Sequence, residues 1–356
     1  MSSILDLARP ELRRLAPYVP GAYEPGTLRL NANESPWRAP GDTTIRGLNR
    51  YPPPRPDALV ELLGAYYDAP KEQLLVTRGS SEAIDVLIRG FCAAGRDSIL
   101  ICPPTFDMYR LYAEIQGAGI VRVPLRRSAD VRHDFALDLD RMLEALEQGI
   151  KLVFVCTPNN PTGSSVDEDA VATLCGESAG RALIVIDEAY TEFSSRPSLR
   201  TLQARFEHVV LLRTLSKFVS LAGVRCGVVV AHEPVVRFLE QVLPPYTFPT
   251  PSIEHVSQAL ATSSLAVAAQ RIDTIRSERA RLEAALSELA EIETMWPSDA
   301  NFVLVRVRDA EAFAARARES GILVRIFRND PSLANCVRIT VGRPEDNDRL
   351  LAAVTS

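Results

Sequence analysis

Six short apolar runs, rich in Val, Ile and Leu, recur between residues 98 and 231, and they restrict the fold more than any other feature. They cover residues 98–102, 119–123, 151–156, 182–186, 208–212 and 226–231. A run that is apolar at nearly every position, not at alternate ones, reads as a strand buried on both faces. That points to a mostly parallel sheet with helices over each side, an α/β fold. Helical stretches precede the runs at 57–67 and 80–92. The last third is patterned differently. A long helix over 265–290 carries Ile272, Ile275, Leu282, Leu286 and Leu289, and strands at 301–307 and 337–341 flank a helix near 310–320. This is a smaller α+β unit. The Pro-rich segment 244–251 marks the junction, so the expected division is an N-terminal arm (1–30), a large domain (31–245) and a small C-terminal domain (246–356).

In an open parallel sheet, ligands bind beyond the carboxyl ends of the strands. Three polar clusters stand at such ends: Thr157-Pro-Asn-Asn-Pro-Thr-Gly163, Asp187-Glu-Ala-Tyr190 and Thr214-Leu-Ser-Lys217. A lysine between apolar segments is costly to bury unless it is used. The use that fits Lys217 is a Schiff base to pyridoxal 5'-phosphate. Asp187, thirty residues earlier, is then a partner for the pyridinium nitrogen, the alternative being a helix N-cap. Asn160 and Tyr190 are candidates to bond the ring oxygen; their ordinary roles would be a turn residue before Pro161 and a packing residue. Gly79, Ser80 and Ser81 open a helix whose N–H groups suit a phosphate, with Thr214 and Ser216 adding hydroxyls and Arg225 a charge. Phe106 either stacks on the pyridine ring or belongs to the core. Arg338 and Arg325 sit in apolar surroundings and want a carboxylate or phosphate, supplied by a substrate or by an internal salt bridge.

Other chemistries find little support. The net charge of −5 and the lack of a dense Lys/Arg block weigh against nucleic acid. Four histidines (His133, His208, His232, His255) show no metal-ligand spacing. Six scattered cysteines suit a reducing compartment, and with no secretory leader or spanning run the expected location is the cytoplasm.

The ordered motifs carry a resemblance that covers nearly the whole chain. They include Leu30-Asn-Ala-Asn-Glu34, Arg50-Tyr-Pro-Pro-Pro54, Arg78-Gly-Ser-Ser-Glu82, Pro103-Pro-Thr-Phe106, Leu221-Ala-Gly-Val-Arg225 and Val337-Arg-Ile-Thr-Val-Gly342, together with the three strand-end clusters. The chain resembles the fold-type I pyridoxal-phosphate-dependent aminotransferases, and within them the histidinol-phosphate aminotransferase family. The resemblance implies transamination of L-histidinol phosphate with 2-oxoglutarate. Neighbouring activities of the same fold are aromatic amino acid transamination and threonine-phosphate-type decarboxylation. It implies a homodimer in which Tyr51 reaches the cofactor phosphate of the partner subunit. It also implies that Arg338, with Arg325, Tyr18 and Asn33, grips the anionic end of the substrate. Position 106 is Phe where the family often has Tyr, which keeps the stack and loses a hydroxyl. Ile326-Phe327 and Arg343 also depart from the family's pattern.

Overall fold

A computed structural model describes residues 3–16, 18, 21 and 27–355. Seven strands form the large sheet: β1 (Leu74–Thr77), β2 (Ser98–Ile101), β3 (Gly119–Arg122), β4 (Ile150–Cys156), β5 (Leu183–Asp187), β6 (Val209–Thr214) and β7 (Gly227–Val230). Their order is β1-β7-β6-β5-β4-β2-β3. The ladders from β6 through β5, β4 and β2 to β3 are parallel, whereas β7 runs antiparallel to both of its neighbours. The sheet is therefore mostly parallel with one reversed strand. Strand β1 leads through Arg78 and Gly79 into the helix Ser80–Phe91, and it is not among the six apolar runs of the sequence.

The uninterrupted apolar runs have a direct cause. Successive residues of β5 enter different cores: Leu183 and Val185 pack on one face, Ile184 and Ile186 on the other. Strands β4 and β6 divide likewise, with Leu152, Phe154, Val210 and Leu212 on the first face and Val153, Val155, Val209 and Leu211 on the second. Each fully buried aliphatic side chain contributes ~1.5–3 kcal/mol, so a polar residue at any of these positions would be strongly selected against energetically. Polar residues are tolerated only where the strands end.

The second sheet has the order β10-β11-β9-β8, all antiparallel, from β8 (Ile292–Trp296), β9 (Phe302–Val307), β10 (Arg325–Ile326) and β11 (Cys336–Thr340). The long helix before it spans Thr262–Ser287 and buries Ala268, Leu282 and Leu286. Trp296, Phe302, Leu304 and Cys336 join the core beneath the large sheet, so the packing between the two sheets is continuous. Among the described residues no helix is long and apolar enough to cross a membrane.

Candidate active site

Register explains why the polar clusters meet. Asp187 is opposite Cys156 of β4 on one side and Leu212 of β6 on the other. Gly227, the first residue of the reversed strand, is opposite Thr214 of β6 and Thr77 of β1. Reversal thus puts the start of β7 beside the ends of its neighbours. The segments Thr77–Ser80 and Thr214–Lys217 converge there.

Above these ends lies a cavity of about 220 Å³ lined by Ser80, Ser81, Phe106, Asn160, Asp187, Tyr190, Thr214, Ser216, Lys217 and Arg225, with Cys156, Ala189 and Ala222. Two glycines shape its floor. A Cβ on Gly227 would fall against the carbonyl carbon of Gly79 and 2.6 Å from the Ser80 nitrogen. A Cβ on Gly79, whose φ is +77°, would fall 2.5 Å from Nη2 of Arg225. The N-terminus of the helix Ser80–Phe91 is thereby pressed against β7 with the Arg225 guanidinium over it. This is a cradle for an anion: free backbone N–H groups, a helix dipole and a cation. Thr214, which also lines the cavity, donates from its Oγ1 to the Cys226 carbonyl at 3.1 Å and lies 3.0 Å from Ser216 Oγ.

Asp187 is 2% exposed. Its Oδ2 accepts from the Tyr109 hydroxyl at 2.7 Å and its Oδ1 from the Ala189 N–H at 3.1 Å. The second bond is the cap-like contact expected of an Asp at a strand end. Burial pushes the carboxyl up to about 6, against the pull of those two donors. Among the described residues no cationic side chain pairs with it, so a buried carboxylate faces the cavity with acceptor capacity to spare. Glu188, next along the chain, turns away. It accepts from Arg213 Nη1 at 2.7 Å, Ser198 Oγ at 2.7 Å and the Leu199 N–H at 2.6 Å, while Arg213 also reaches Glu192 at 2.7 Å. This buried cluster ties β5 to β6 directly behind the site.

Lys217 differs from the sequence expectation. The side chain is not buried between apolar elements but exposed within the cavity mouth, because the turn after Thr214 lifts it off the sheet. Partial desolvation lowers its pKa, followed by the repulsion of Arg338 and Arg225. Its ammonium nitrogen is 5.8 Å from the Tyr190 ring centroid. Asn160 is the hub of the far wall: its Nδ2 donates to the Tyr190 hydroxyl at 3.2 Å and its Oδ1 accepts from Nη1 of Arg338. Arg338 is therefore held at the cavity from the small sheet. Cross-strand from it on β10 is Arg325. Among the described residues neither arginine forms an ion pair, so the internal salt bridge offered as an alternative is absent.

Three residues named from the sequence stand apart from this cavity. Tyr51 and Asn33 line a second cavity, of about 360 Å³, where Tyr51 stacks on Tyr246 with centroids 4.7 Å apart. Tyr18 is exposed. The two family-like segments at 30–34 and 50–54 are linked through Glu34, which accepts from the Tyr51 N–H at 2.8 Å and from Arg50 Nη1 at 2.9 Å. Sequence reasoning missed Tyr109, which lies three residues after Phe106 in the first turn of the helix Met108–Gln116 and meets its ring edge-on.

A fit to pyridoxal phosphate follows from this donor set: an anion cradle that a Cβ would fill, a buried carboxylate lacking a cation, and an amine of lowered proton affinity. The family model for class I and II aminotransferases matches residues 30–354. A histidinol-phosphate aminotransferase of Xylella fastidiosa (strain 9a5c) is 43% identical over 99% of this chain and 96% of its own. The crystal structure of the histidinol-phosphate aminotransferase from Clostridium acetobutylicum aligns with a TM-score of 0.78 at 20% identity, covering 87% of this chain and 91% of that one. The enzyme of that name from Sinorhizobium meliloti, solved in complex with pyridoxal-5'-phosphate, gives 0.77 at 23% identity over 86% and 82%.

Proposed function

This chain belongs to the class I and II aminotransferase family, and on that premise we propose how its site works. It is a pyridoxal-phosphate-dependent transaminase that exchanges the amino group between L-histidinol phosphate and 2-oxoglutarate, a step of histidine biosynthesis. The observation that carries the reading is the single cavity in which Lys217, Asp187, Asn160, Tyr190 and Arg225 meet above the Gly79–Gly227 cradle.

When bound, pyridoxal phosphate supplies an aldehyde that joins amines and a ring that draws off electrons as the substrate α-carbon loses its proton. The chain does the rest. The N–H groups at Ser80 and Ser81, the Ser216 hydroxyl and the Arg225 guanidinium bind the phosphate. Asp187 holds the ring nitrogen protonated. The Tyr190 hydroxyl, oriented by Asn160, bonds the ring oxygen, and Phe106 covers the ring face. Lys217 Nζ, its proton affinity lowered, accepts the α-proton and returns it at the neighbouring carbon. Arg338, with Arg325 beside it, receives the substrate's anionic end.

The enzyme is proposed to act as a cytoplasmic homodimer in which Tyr51 reaches the partner subunit's site. The support is the segment 28–45, where Leu28, Leu30, Trp37 and Ile45 are 79%, 83%, 78% and 81% exposed, large apolar side chains that a partner subunit would cover. Half-reaction spectra test the chemistry. Loaded enzyme is mixed separately with L-histidinol phosphate, phenylalanine and phosphothreonine. Conversion of the cofactor to its amine form by histidinol phosphate is the expected result. Conversion by phenylalanine alone, or carbon dioxide release from phosphothreonine, would overturn the substrate.

A further inference from the structure

Tyr109 has no exposed surface and lies on the inner face of the helix Met108–Gln116. Its ring is fixed from two sides. Phe154 of β4 stacks on it with centroids 4.6 Å apart and planes 16° apart, and Phe106 meets it edge-on at 5.7 Å. Two ring contacts leave the hydroxyl one direction, and at 2.7 Å in that direction is Asp187 Oδ2. A buried phenol needs some acceptor, and main-chain carbonyls most often supply it. Here the acceptor is, among the described residues, the one carboxylate that lines the cavity.

We propose that Tyr109 is a positioning residue for Asp187: its hydroxyl keeps the carboxylate ionised and turned toward the cofactor ring nitrogen, and so sets the acid limit of cofactor binding. The proposal rests on the pyridoxal phosphate reading above. Its geometry is a three-point hold. Tyr109 takes one carboxylate oxygen, the Ala189 N–H takes the other, and the strand end fixes the stem. The remaining acceptor positions then belong to the ligand.

The groups facing Asp187 make the direction clear. Cys156 comes from β4, Glu188 and Tyr190 from its own loop, and Lys217 and Arg225 from across the cavity. Burial and Glu188 favour the neutral acid; Tyr109 and the Ala189 N–H favour the anion. Removing the phenol hydroxyl therefore raises the pH at which the carboxylate forms. Hydrogen bonds to charged groups are strong enough to move that limit by about one to two pH units, or about 10-fold or more in affinity on its acid side.

The test is the dissociation constant of pyridoxal phosphate for the full-length apoprotein from pH 5 to 9. Tyr109→Phe should move the acid limb of binding upward by that amount, while Phe154→Leu, which disturbs packing and keeps the hydroxyl, should leave the limb in place. In an Asp187→Asn background Tyr109→Phe should have no further effect on the limb. A Tyr109→Phe loss that is equal at every pH, or that persists undiminished with Asn at 187, would reduce Tyr109 to core packing and overturn the proposal. Failure of the unmodified protein to bind pyridoxal phosphate would instead remove the functional reading beneath it.

Discussion

Gly227→Ala is the smallest change that tests the anion cradle. The added Cβ would meet three backbone atoms: the Gly79 carbonyl carbon, the Ser80 nitrogen at 2.6 Å and the Gly79 oxygen at 2.8 Å. Ordinary contact for a Cβ is 3.4–4 Å. Backbone atoms cannot rotate away as the end of a side chain does, so the helix N-terminus must retreat from β7 by roughly 1 Å or the β1–β7 ladder must open. Overpacking of this kind costs about 1–3 kcal/mol of stability. The same retreat misaligns the Ser80 and Ser81 N–H groups. Loss of one or two charge-assisted bonds, at about 1.5–3 kcal/mol each, weakens cofactor binding by at least about 10-fold. Thermal unfolding of the apoprotein reads the first effect and cofactor titration the second. Gly223→Ala is the matched control, because its Cβ meets nothing within 4 Å. Wild-type affinity and stability in Gly227→Ala, or equal losses in both variants, would refute the cradle.

Borohydride reduction of the loaded enzyme should fix the cofactor to Lys217 and to neither Lys71 nor Lys151, the two other lysines in the chain; peptide mass mapping reads the site. Asp187→Asn should bind the cofactor more weakly, with no acid limb left to titrate, and even when saturated should lose turnover by orders of magnitude, since a neutral amide cannot hold the ring nitrogen protonated; near-wild-type kcat would contradict that role. Tyr51→Phe and Lys217→Ala subunits, each impaired alone, should regain activity when mixed into heterodimers, because one of the two shared sites is then intact. Absence of rescue in heterodimers shown to form would mean that each subunit's site is self-contained.

The large sheet was legible because its strands are buried on both faces, which forces continuous apolar runs such as Leu183–Asp187. The strand-end clusters were legible because polar residues interrupt those runs only where the sheet stops. Direction and pairing left weaker marks. Nothing in Gly227–Val230 distinguishes an antiparallel from a parallel neighbour, since either way both faces are covered. Leu74–Thr77 is too short to separate from the turn it enters, and Arg325–Ile326 is a strand only by its pairing with β11. The Lys217 side chain stands exposed because a turn, not a periodicity, decides where it points. Tyr109 and the Arg338–Asn160 bond depend on contacts between distant segments, which composition and spacing do not encode.

The reversed strand also bears on how the protein acquires its ligand site during folding. β7 pairs Leu74 with Val230 and Thr77 with Gly227 on one edge while pairing with β6 on the other. Closing that edge joins segments about 150 residues apart, one of the least local contacts in the molecule, and non-local pairings carry the largest loop-closure cost. A chain emerging from synthesis can form the parallel strands β2 to β6 in turn, yet the proposed phosphate cradle at Gly79 and Gly227 stays open until residue 230 is available. On the proposed reading of that edge as the phosphate cradle, cofactor present at that moment would bind only the closed edge and by mass action stabilise the pairing.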